Sequence, residues 1–473
     1  MPIRRACLAL LAAALVAAPA ANAGGPGKWT QVGEANLRNI DQVSLARTPD
    51  NVLHAVWTIP GTNNDTLVHA AIQPNGTASA PNIIQTGWAS ITSVPKLLAS
   101  PTGLDVVFGG IRTINPGETN DNLNLATSGA DGASWSLVTG NIAKGDAAYG
   151  SDIGGALLGD GTPLEAFGST GSGVFVHRGL DQNTTNFPYQ GQLGGCCGYS
   201  PDLAVDTKNG SVFLVWLSNA TDHVGLYAQT VDAGTGAPSG APVKMPGSTT
   251  LFNGQENSSQ QLQRTPVAAR AGGGVYVAYP GGYPTTNQVR LWRIADSKSA
   301  VLATSKSDHI VNLAADSGGR LWVFWVERST MKVFARRSNT SATKFGPAVQ
   351  VRAPKGQQSA FKIDGNAQAG ALDVVALLGD ATGKQAQWHT QFLPGLDLSA
   401  PSKINGSKST SVKFKVTDPD PVKGVKVSAG GKSATTNAGG KATITLGPTK
   451  AKKITATAKK AGYTSDSAKI KVK

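Results

Sequence analysis

A short strand-like segment that recurs seven times is the feature that most constrains the fold of this 473-residue chain. The copies are rich in Val, Leu and aromatic residues, which favour β-strands; examples are Phe213-Leu-Val-Trp216 and Leu321-Trp-Val-Phe-Trp325. The copies end at positions 57, 108, 167, 216, 279, 325 and 377, and six of these seven residues are aromatic. A repeat of this length built from short strands is typical of propeller blades. The sequence therefore predicts an all-β fold with a seven-bladed β-propeller, and six blades is the alternative if one weak repeat is misread.

The strands around each copy support the same organisation. An apolar first strand precedes each copy, a third strand follows it, and most units have a looser fourth strand. The last unit lacks a fourth strand because the chain reaches Pro394 and Pro401, whereas residues 28–33 look like a spare one. We expect this N-terminal segment to complete the last blade and close the ring, because closure removes an exposed sheet edge. The predicted propeller covers residues 28–395.

The N-terminus has the pattern of a secretory signal peptide. Arg4 and Arg5 precede an uncharged apolar run over residues 7–18, and Ala21-Asn-Ala23 offers a small-residue cleavage site, the order of features that signal peptidase substrates share. We predict that residues 1–23 are removed after Ala23 and that the protein is secreted or associated with the cell envelope. The run is too short to span a membrane, and no membrane span is expected.

The net charge of +14 is concentrated at the C-terminus. Residues 400–473 contain 16 Lys, no Arg and three Asp, which gives +13, and Arg4 and Arg5 supply two more charges. The rest of the chain is therefore close to neutral, and a nucleic-acid-binding function of the whole protein is not expected. The lysines lie on alternating strands, so they form either a solvated face or a surface that attracts anionic cell-wall polymers or glycans.

Two segments resemble known families. Ser128-Gly-Ala-Asp-Gly-Ala-Ser-Trp135 resembles the Asp-box, the hairpin-turn motif of the sialidase-like (BNR) propellers, although Ala130 stands where the motif has Asp and Asp131 follows one residue later. Residues 418–427 and 436–446, with their Asp-Pro and Asn-Ala-Gly-Gly turns, resemble the bacterial immunoglobulin-like domains of surface proteins. The second resemblance implies that residues 402–473 form a lysine-rich immunoglobulin-like β-sandwich after the propeller. The Asp-box is a structural turn and implies nothing about catalysis.

Neighbouring cysteines form the first candidate binding site. Once the signal peptide is removed, only Cys196 and Cys197 remain, directly before Gly198-Tyr199. A disulfide between neighbours is strained, because adjacent Cα atoms lie about 3.8 Å apart and disulfides usually span about 4.4–6.8 Å. It also closes almost no loop and stabilises little. The pair is either a rigid platform on which a ligand stacks beside Tyr199 or two small residues that pack a turn.

The starts of the innermost strands form the second candidate site, because propeller ligands usually bind where these strands ring the central channel. Carboxylates and arginines that converge there could bind a sugar or an ion, and the alternative is that each is solvated or caps a strand. The candidates are Arg38, Asp41, Asp152, Tyr199, Asp202, Arg264, His309 and Asp364.

The resemblance to sialidases implies an active site with three arginines, a Tyr–Glu nucleophile pair and an Asp acid. Arg38 and Asp41 stand near the first blade, where that family places an arginine and its acid, but Asn39-Ile-Asp41 replaces the family's Arg-Ile-Pro signature. The sequence therefore favours a non-catalytic recognition module that binds a glycan, a cell-envelope polymer or a surface protein. The alternative is a divergent glycoside hydrolase of the sialidase superfamily. We expect no metal or cofactor, and we expect the protein to be a monomer.

Overall fold

In the computed structural model, the recurring segments form antiparallel strands, and the described part of the chain contains no α-helix. The described residues are 25–35, 43–61, 64–74, 76–91, 93–112, 122–138, 153–169, 173–179, 189–190, 198–218, 223–248, 264–282 and 286–473. The all-β prediction is confirmed. Residues 1–23, the predicted signal peptide, lie outside the described ranges, and among the described residues no helix is long and apolar enough to cross a membrane.

The first 28 strands form successive meanders. Their bounds are β1 (Thr30–Ala35), β2 (Ser44–Arg47), β3 (Leu53–Ile59), β4 (Asp65–Ile72), β5 (Asn82–Ile91), β6 (Lys96–Ala99), β7 (Gly103–Arg112), β8 (Asn122–Gly129), β9 (Trp135–Leu137), β10 (Ile153–Leu157), β11 (Pro163–Ser169), β12 (Gly173–Arg178), β13 (Tyr189–Gln190), β14 (Gly198–Val205), β15 (Val212–Ser218), β16 (Gly225–Val231), β17 (Pro238–Lys244), β18 (Val267–Ala269), β19 (Val275–Gly281), β20 (Gln288–Arg293), β21 (Ala300–Thr304), β22 (His309–Ala315), β23 (Leu321–Glu327), β24 (Lys332–Arg337), β25 (Val349–Arg352), β26 (Gln357–Gln368), β27 (Ala371–Asp380) and β28 (Gln385–Phe392).

These strands are arranged around a ring. Four-stranded sheets are formed by β10–β13, β14–β17, β18–β21 and β22–β25, while β2–β9 form one eight-stranded sheet in which β5 pairs with β7. The first strand of each meander contacts the first strand of the next, in the cyclic order β2, β6, β10, β14, β18, β22 and β26, and β26 contacts β2 again. We call these seven the inner strands.

The N-terminal strand closes the ring, as the sequence predicts. β1 pairs antiparallel with β28, with Thr30 opposite His389 and Ala35 opposite Gln385, and so becomes the fourth strand of the sheet that contains β26 and β27. The edge of β28 would otherwise offer unpaired backbone groups to other chains.

The recurring aromatic residues explain how neighbouring sheets adhere. Trp57, Phe108 and Tyr279 are fully buried, and the buried clusters combine residues of adjacent sheets; one of them joins Val107 and Leu125 to Phe167. Because side chains alternate between the two faces of a strand, each second strand covers both neighbouring sheets. The second strand is therefore the most apolar part of each repeat.

The C-terminal part, residues 397–473, forms two further sheets, and we call it the C-terminal domain. One contains β29 (Asp397–Ser399), β31 (Thr410–Asp418), β32 (Asp420–Pro421) and β35 (Lys441–Leu446), and the other contains β30 (Lys403–Ile404), β33 (Lys426–Ala429), β34 (Lys432–Thr435), β36 (Lys453–Lys459) and β37 (Asp466–Val472). Both sheets contribute to one apolar core, which includes Phe414 and Val427. Strand β35 alternates strictly between exposed and buried residues, which is the period-two pattern of a sheet with one solvated face.

Candidate functional site: a charged cluster among the inner strands

Half of the predicted site residues fall within the described part of the chain. Arg38, Asp41, Asp152, Cys196 and Cys197 lie outside it. Their predicted roles, including the cysteine platform, stay predictions. The described ones are Tyr199, Asp202, Arg264, His309 and Asp364.

Three of the described residues come together with a lysine. Arg264 Nη2 lies 3.3 Å from Asp364 Oδ2, and Lys96 Nζ lies 2.8 Å from Asp202 Oδ1. We call these four side chains the central cluster. Their exposed fractions are small: 5% for Arg264, 17% for Asp364, 17% for Lys96 and 10% for Asp202. The predicted convergence of carboxylates and an arginine is therefore observed for these residues.

Arg264 connects four meanders. Its Nη1 donates to the carbonyl of Pro95 at 2.7 Å, and its Nη2 donates to the carbonyl of Val43 at 3.1 Å as well as to Asp364. Arg264 lies just before β18, whereas its partners lie at β2, β6 and β26. A guanidinium offers five donors in a rigid fork, and this one binds groups from separate inner strands. It acts as a brace.

Asp202 connects β14 to β6 and β10. Its Oδ1 accepts hydrogen bonds from the Lys96 ammonium and from the Gly155 backbone at 3.1 Å. A β-bulge between Tyr199 and Asp202, with Ser200 at a φ of 52°, turns Asp202 toward these donors. Gly154 allows the close approach, because a Cβ there would lie 2.4 Å from the Asp202 Cα.

The last inner strand joins through an amide. Asn312 on β22 donates from Nδ2 to the Ile363 carbonyl at 2.8 Å and lies 3.4 Å from Asp364 Oδ1. Residues at or beside the seven inner strands thus form two hydrogen-bonded groups, one around Arg264 and Asp364 and one around Asp202, which meet at the chain neighbours Pro95 and Lys96.

The charges of the central cluster cancel. Two cations face two carboxylates, and burial raises the pKa of the Asp364 carboxyl while Arg264 opposes this rise. A buried ion pair is weak support for net stability, but removing one partner leaves an uncompensated charge. The arrangement can hold the inner strands in register, and the Arg264 guanidinium is occupied by protein groups.

Tyr199 and His309 take part in different contacts. Tyr199 packs at the edge of an apolar cluster formed by neighbouring sheets. His309 is buried, with its Nε2 2.9 Å from Ser305 Oγ. Burial lowers its pKa, while Glu327, its ladder partner on β23, opposes this effect.

Lys96 and Asn312 are not among the residues that the sequence predicts for the site. Lys96 stands at the first position of its inner strand, so the rule that selected Asp202 and Arg264 also applies to it. Its strand has only four residues, and this hid the position. Asn312 lies inside β22 and carries no signal of this kind.

A separate network of histidines lies between the first two meanders. His54 Nδ1 is 2.9 Å from His69 Nε2, and His69 Nδ1 is 2.8 Å from Asn82 Oδ1. Asn82 in turn donates to the Gly132 carbonyl in the hairpin that resembles an Asp-box, and Trp135 lies against His69. Burial, together with the neighbouring His69, lowers the pKa of His54 to about 4. The imidazoles are therefore neutral at ordinary pH.

Ion pairs also join the C-terminal sheets to the ring. Arg337 on β24 pairs with Asp418 on β31, and both side chains are almost fully buried. The Arg337 guanidinium also lies 5.7 Å from the rings of Trp322 and Tyr463. Arg320 pairs with Asp420 at 3.3 Å. The acidic residues of β31 and β32 are thus bound to the arginines of the ring.

Comparisons with known proteins add the following. No family model matches the chain, and no curated protein matches its sequence. Similar solved structures include a fungal lectin of Aleuria aurantia described as a six-bladed β-propeller with a novel mode of fucose recognition, at 12% identity and a TM-score of 0.38, covering 62% of this chain and 89% of the lectin. The polysaccharide lyase Uly1 is similar at 11% identity and a TM-score of 0.43, over 79% of this chain and 97% of the lyase.

An exo-β-1,3-galactanase of Phanerochaete chrysosporium is similar at 12% identity and a TM-score of 0.35, over 89% of this chain and 94% of the enzyme. These proteins include both a binder and enzymes. At such low similarity they carry no argument about the activity of this chain. Within the described residues, no group of three or more His, Cys, Asp or Glu side chains could hold a metal ion.

Proposed function

We propose that this protein is an exported, non-catalytic recognition module in which a seven-bladed propeller binds a glycan or another cell-surface partner. The cyclic order of the seven inner strands supports the blade count. The two-sheet C-terminal part, with its single shared core, supports an immunoglobulin-like sandwich. The Asp-box assignment of the turn at 128–135 belongs to the same proposal.

The observation that carries the proposal is the engagement of Arg264. A sialidase-type site uses arginines to hold the carboxylate of its substrate, and this requires donors that face the ligand. Arg264 directs its guanidinium to Val43, Pro95 and Asp364, so it supports the ring and does not hold a substrate. The inner end of the ring then serves as a rigid platform on which binding surfaces are displayed.

The test uses the mature protein, residues 24–473, incubated with a mixed pool of glycans and followed by mass spectrometry of retained and released species. We expect retention of one glycan class without cleavage. Arg38→Ala and Asp41→Ala should weaken retention, whereas Arg352→Ala, which removes an exposed arginine on the outer strand β25, should leave it unchanged.

Each other outcome contradicts a part of the proposal. Release of a terminal sugar, abolished by Asp41→Ala, would establish a hydrolase. If no glycan is retained or released, the glycan part of the proposal is wrong, and a surface protein becomes the expected partner. Replacement of both Cys196 and Cys197 by Ser tests the cysteine platform, since retention that survives this change excludes it.

A further inference from the structure

A groove of about 950 Å³ lies on the C-terminal domain, away from the central cluster. It is bounded by the segment 399–405, by β31 and by β35. A volume of this size is within the range of about 300–1,000 Å³ that ligand sites occupy. The groove is therefore large enough for several sugar rings.

The groove exists because the chain changes sheets. Strand β29 pairs with β31 through Ser399, opposite Lys415, and the chain then crosses at Pro401 to β30, which pairs in parallel with β37 of the other sheet. Between Thr410 and Phe414, β31 has β35 on one side, and within the fully described segment 286–473 no strand lies on its other side. Backbone groups of an unpaired edge are ready hydrogen-bonding partners.

The charge of the groove has a single sign. Its lining contains four lysines and no acidic residue within the same fully described segment. All four side chains are exposed, and none takes part in an ion pair among the described residues. The lysines are Lys403, Lys413, Lys415 and Lys441.

The arrangement is costly for the isolated domain. Lys415 stands directly opposite Lys441 on the neighbouring strand, and like charges at such positions destabilise a sheet. Asp418 and Asp420 could offset this repulsion, but they pair with Arg337 and Arg320 of the ring. Asp466 accepts a hydrogen bond from the Leu398 backbone, and Asp397 on β29 stands opposite Thr417 and not opposite a lysine. Opposed lysines also occur on the other sheet, at Lys426–Lys459 and Lys453–Lys471, so this repulsion favours anion binding in general, and the cavity beside the unpaired edge of β31 is what selects the groove.

We propose that this groove binds a linear acidic polysaccharide whose sugars carry carboxylates. Strands lie about 4.8 Å apart, so the opposed lysines of β31 and β35 present charge at about the spacing of successive sugar rings. Ser411, Thr443 and Asn437 line the same groove and supply hydroxyl and amide partners for sugar hydroxyls. The inference is independent of what the propeller binds.

Two other polyanions fit the groove less well. Single-stranded nucleic acid is held by aromatic side chains on which bases stack, and the one aromatic residue of the lining, Phe414, is turned into the core with 2% exposure. An anionic membrane is a broad surface and cannot enter a groove whose lysines stand beside an unpaired strand edge. A polymer one sugar wide can.

The test measures binding of full-length mature protein to polygalacturonate by titration calorimetry at several salt concentrations. The groove variant is Lys413→Glu/Lys441→Glu. The matched control is Lys459→Glu/Lys469→Glu, which changes the net charge equally on exposed positions of the other sheet; Lys459 stands opposite Lys426 as Lys441 stands opposite Lys415, so the control also matches the cross-strand repulsion. We expect the groove variant to bind about tenfold more weakly, because two attractive contacts become repulsive, and the control to bind as the unmodified protein does.

Parallel titrations with dextran, a single-stranded oligothymidylate and phosphatidylglycerol vesicles identify the ligand class. Dextran should not bind, and the other two should bind more weakly than polygalacturonate. Equal loss of binding in the groove and control variants would overturn the groove, and tighter binding of the oligonucleotide or vesicles would overturn the polysaccharide. Lys413→Gln/Lys441→Gln, which cannot repel the ligand, should show a smaller loss, and thermal unfolding verifies that each variant is folded.

Discussion

The centre of the ring and the C-terminal domain use charge in opposite ways. In the central cluster every cation has a carboxylate within 3.3 Å, and the side chains are largely buried. In the C-terminal domain, residues 397–473, 16 lysines share a segment with four aspartates, two of which pair with the ring. Paired, buried charge fixes a structure, whereas exposed charge of one sign leaves interaction energy available for a partner. The difference separates a scaffold from a contact surface within one chain.

The largest expected effect tests the scaffold side of this comparison. Arg264→Leu leaves Asp364 without its charged partner and the carbonyls of Val43 and Pro95 without a donor. We expect the free energy of unfolding to fall by about 3–5 kcal/mol, the usual cost of removing one partner of a buried ion pair. Denaturant unfolding followed by tryptophan fluorescence measures it.

Lys413→Ala is the matched substitution on the other side, and it should change stability by less than about 0.5 kcal/mol, because the side chain is exposed, lies opposite Thr443 and has no ion-pair partner among the described residues. Similar losses for the two variants would contradict the distinction between the paired charges of the central cluster and the exposed lysines of the C-terminal domain.

A smaller effect is expected where the two regions meet. Arg337→Met removes the partner of buried Asp418, and the cost should be about 2–3 kcal/mol, below the full cost of breaking a buried pair, because the Arg320 charge also favours the charged form of Asp418. The loss should appear as earlier release of the C-terminal domain, measured by limited proteolysis between residues 393 and 402. Arg337→Met/Asp418→Leu should recover much of it, and a double variant as unstable as the single one would show that packing, not charge, holds the interface.

Protonation of histidine should affect the ring and not the C-terminal domain. The pKa of His54 is about 4 in the folded protein and near 6.5 when unfolded, so the unfolded chain binds more protons between these values. Stability is then complete above about pH 6.5 and falls as pH decreases toward 4, with no further loss from this group below that value. The C-terminal domain contains no histidine after residue 400.

The measurement is the thermal unfolding midpoint as a function of pH. His54→Gln should reduce the slope between pH 6.5 and 4, while His223→Gln serves as the control at a histidine outside this network. An unchanged slope in His54→Gln would show that the histidine pair does not contribute to acid sensitivity.

The smallest effect has the opposite sign. Lys441→Thr removes the repulsion with Lys415 across the strand pair, and we expect stability to rise by about 0.2–1 kcal/mol, with Lys408→Thr, outside any strand, as the control. A stabilised variant that has also lost its affinity for polygalacturonate would directly link the repulsion to binding. A destabilised variant would contradict it.

The ring was predictable because its signal is repeated. The second strands cover two neighbours each, so they are strongly apolar, and their aromatic ends mark the period even where single strands such as β6 are weak. The closing strand was predictable for a related reason, since Pro394 and Pro401 leave the last unit incomplete.

The site was predictable only in part. Asp202, Arg264 and Asp364 were selected as residues at the starts of inner strands, but only Arg264 precedes its strand; Asp202 is the fifth residue of β14 and Asp364 the eighth of β26. Which of them pair with each other depends on a bulge at Ser200 and on the reach of Arg264 to Val43 and Pro95, and neither leaves a pattern in the sequence. The groove on β31 likewise depends on where the chain crosses between sheets. Alternation locates the lysines on an exposed face without showing which of them surround a cavity.

The pairing of β1 with β28 delays the completion of one sheet until late in synthesis. Thr30 is synthesised before almost all of the chain, yet its partner His389 arrives more than three hundred residues later. Until then β1 has no β28 to pair with, and contacts so distant in sequence are slow to form. Synthesis that stops before residue 385 therefore yields a chain with both edges unprotected. The sheet of β26, β27, β28 and β1 can therefore be complete only after Phe392 has been added to the chain.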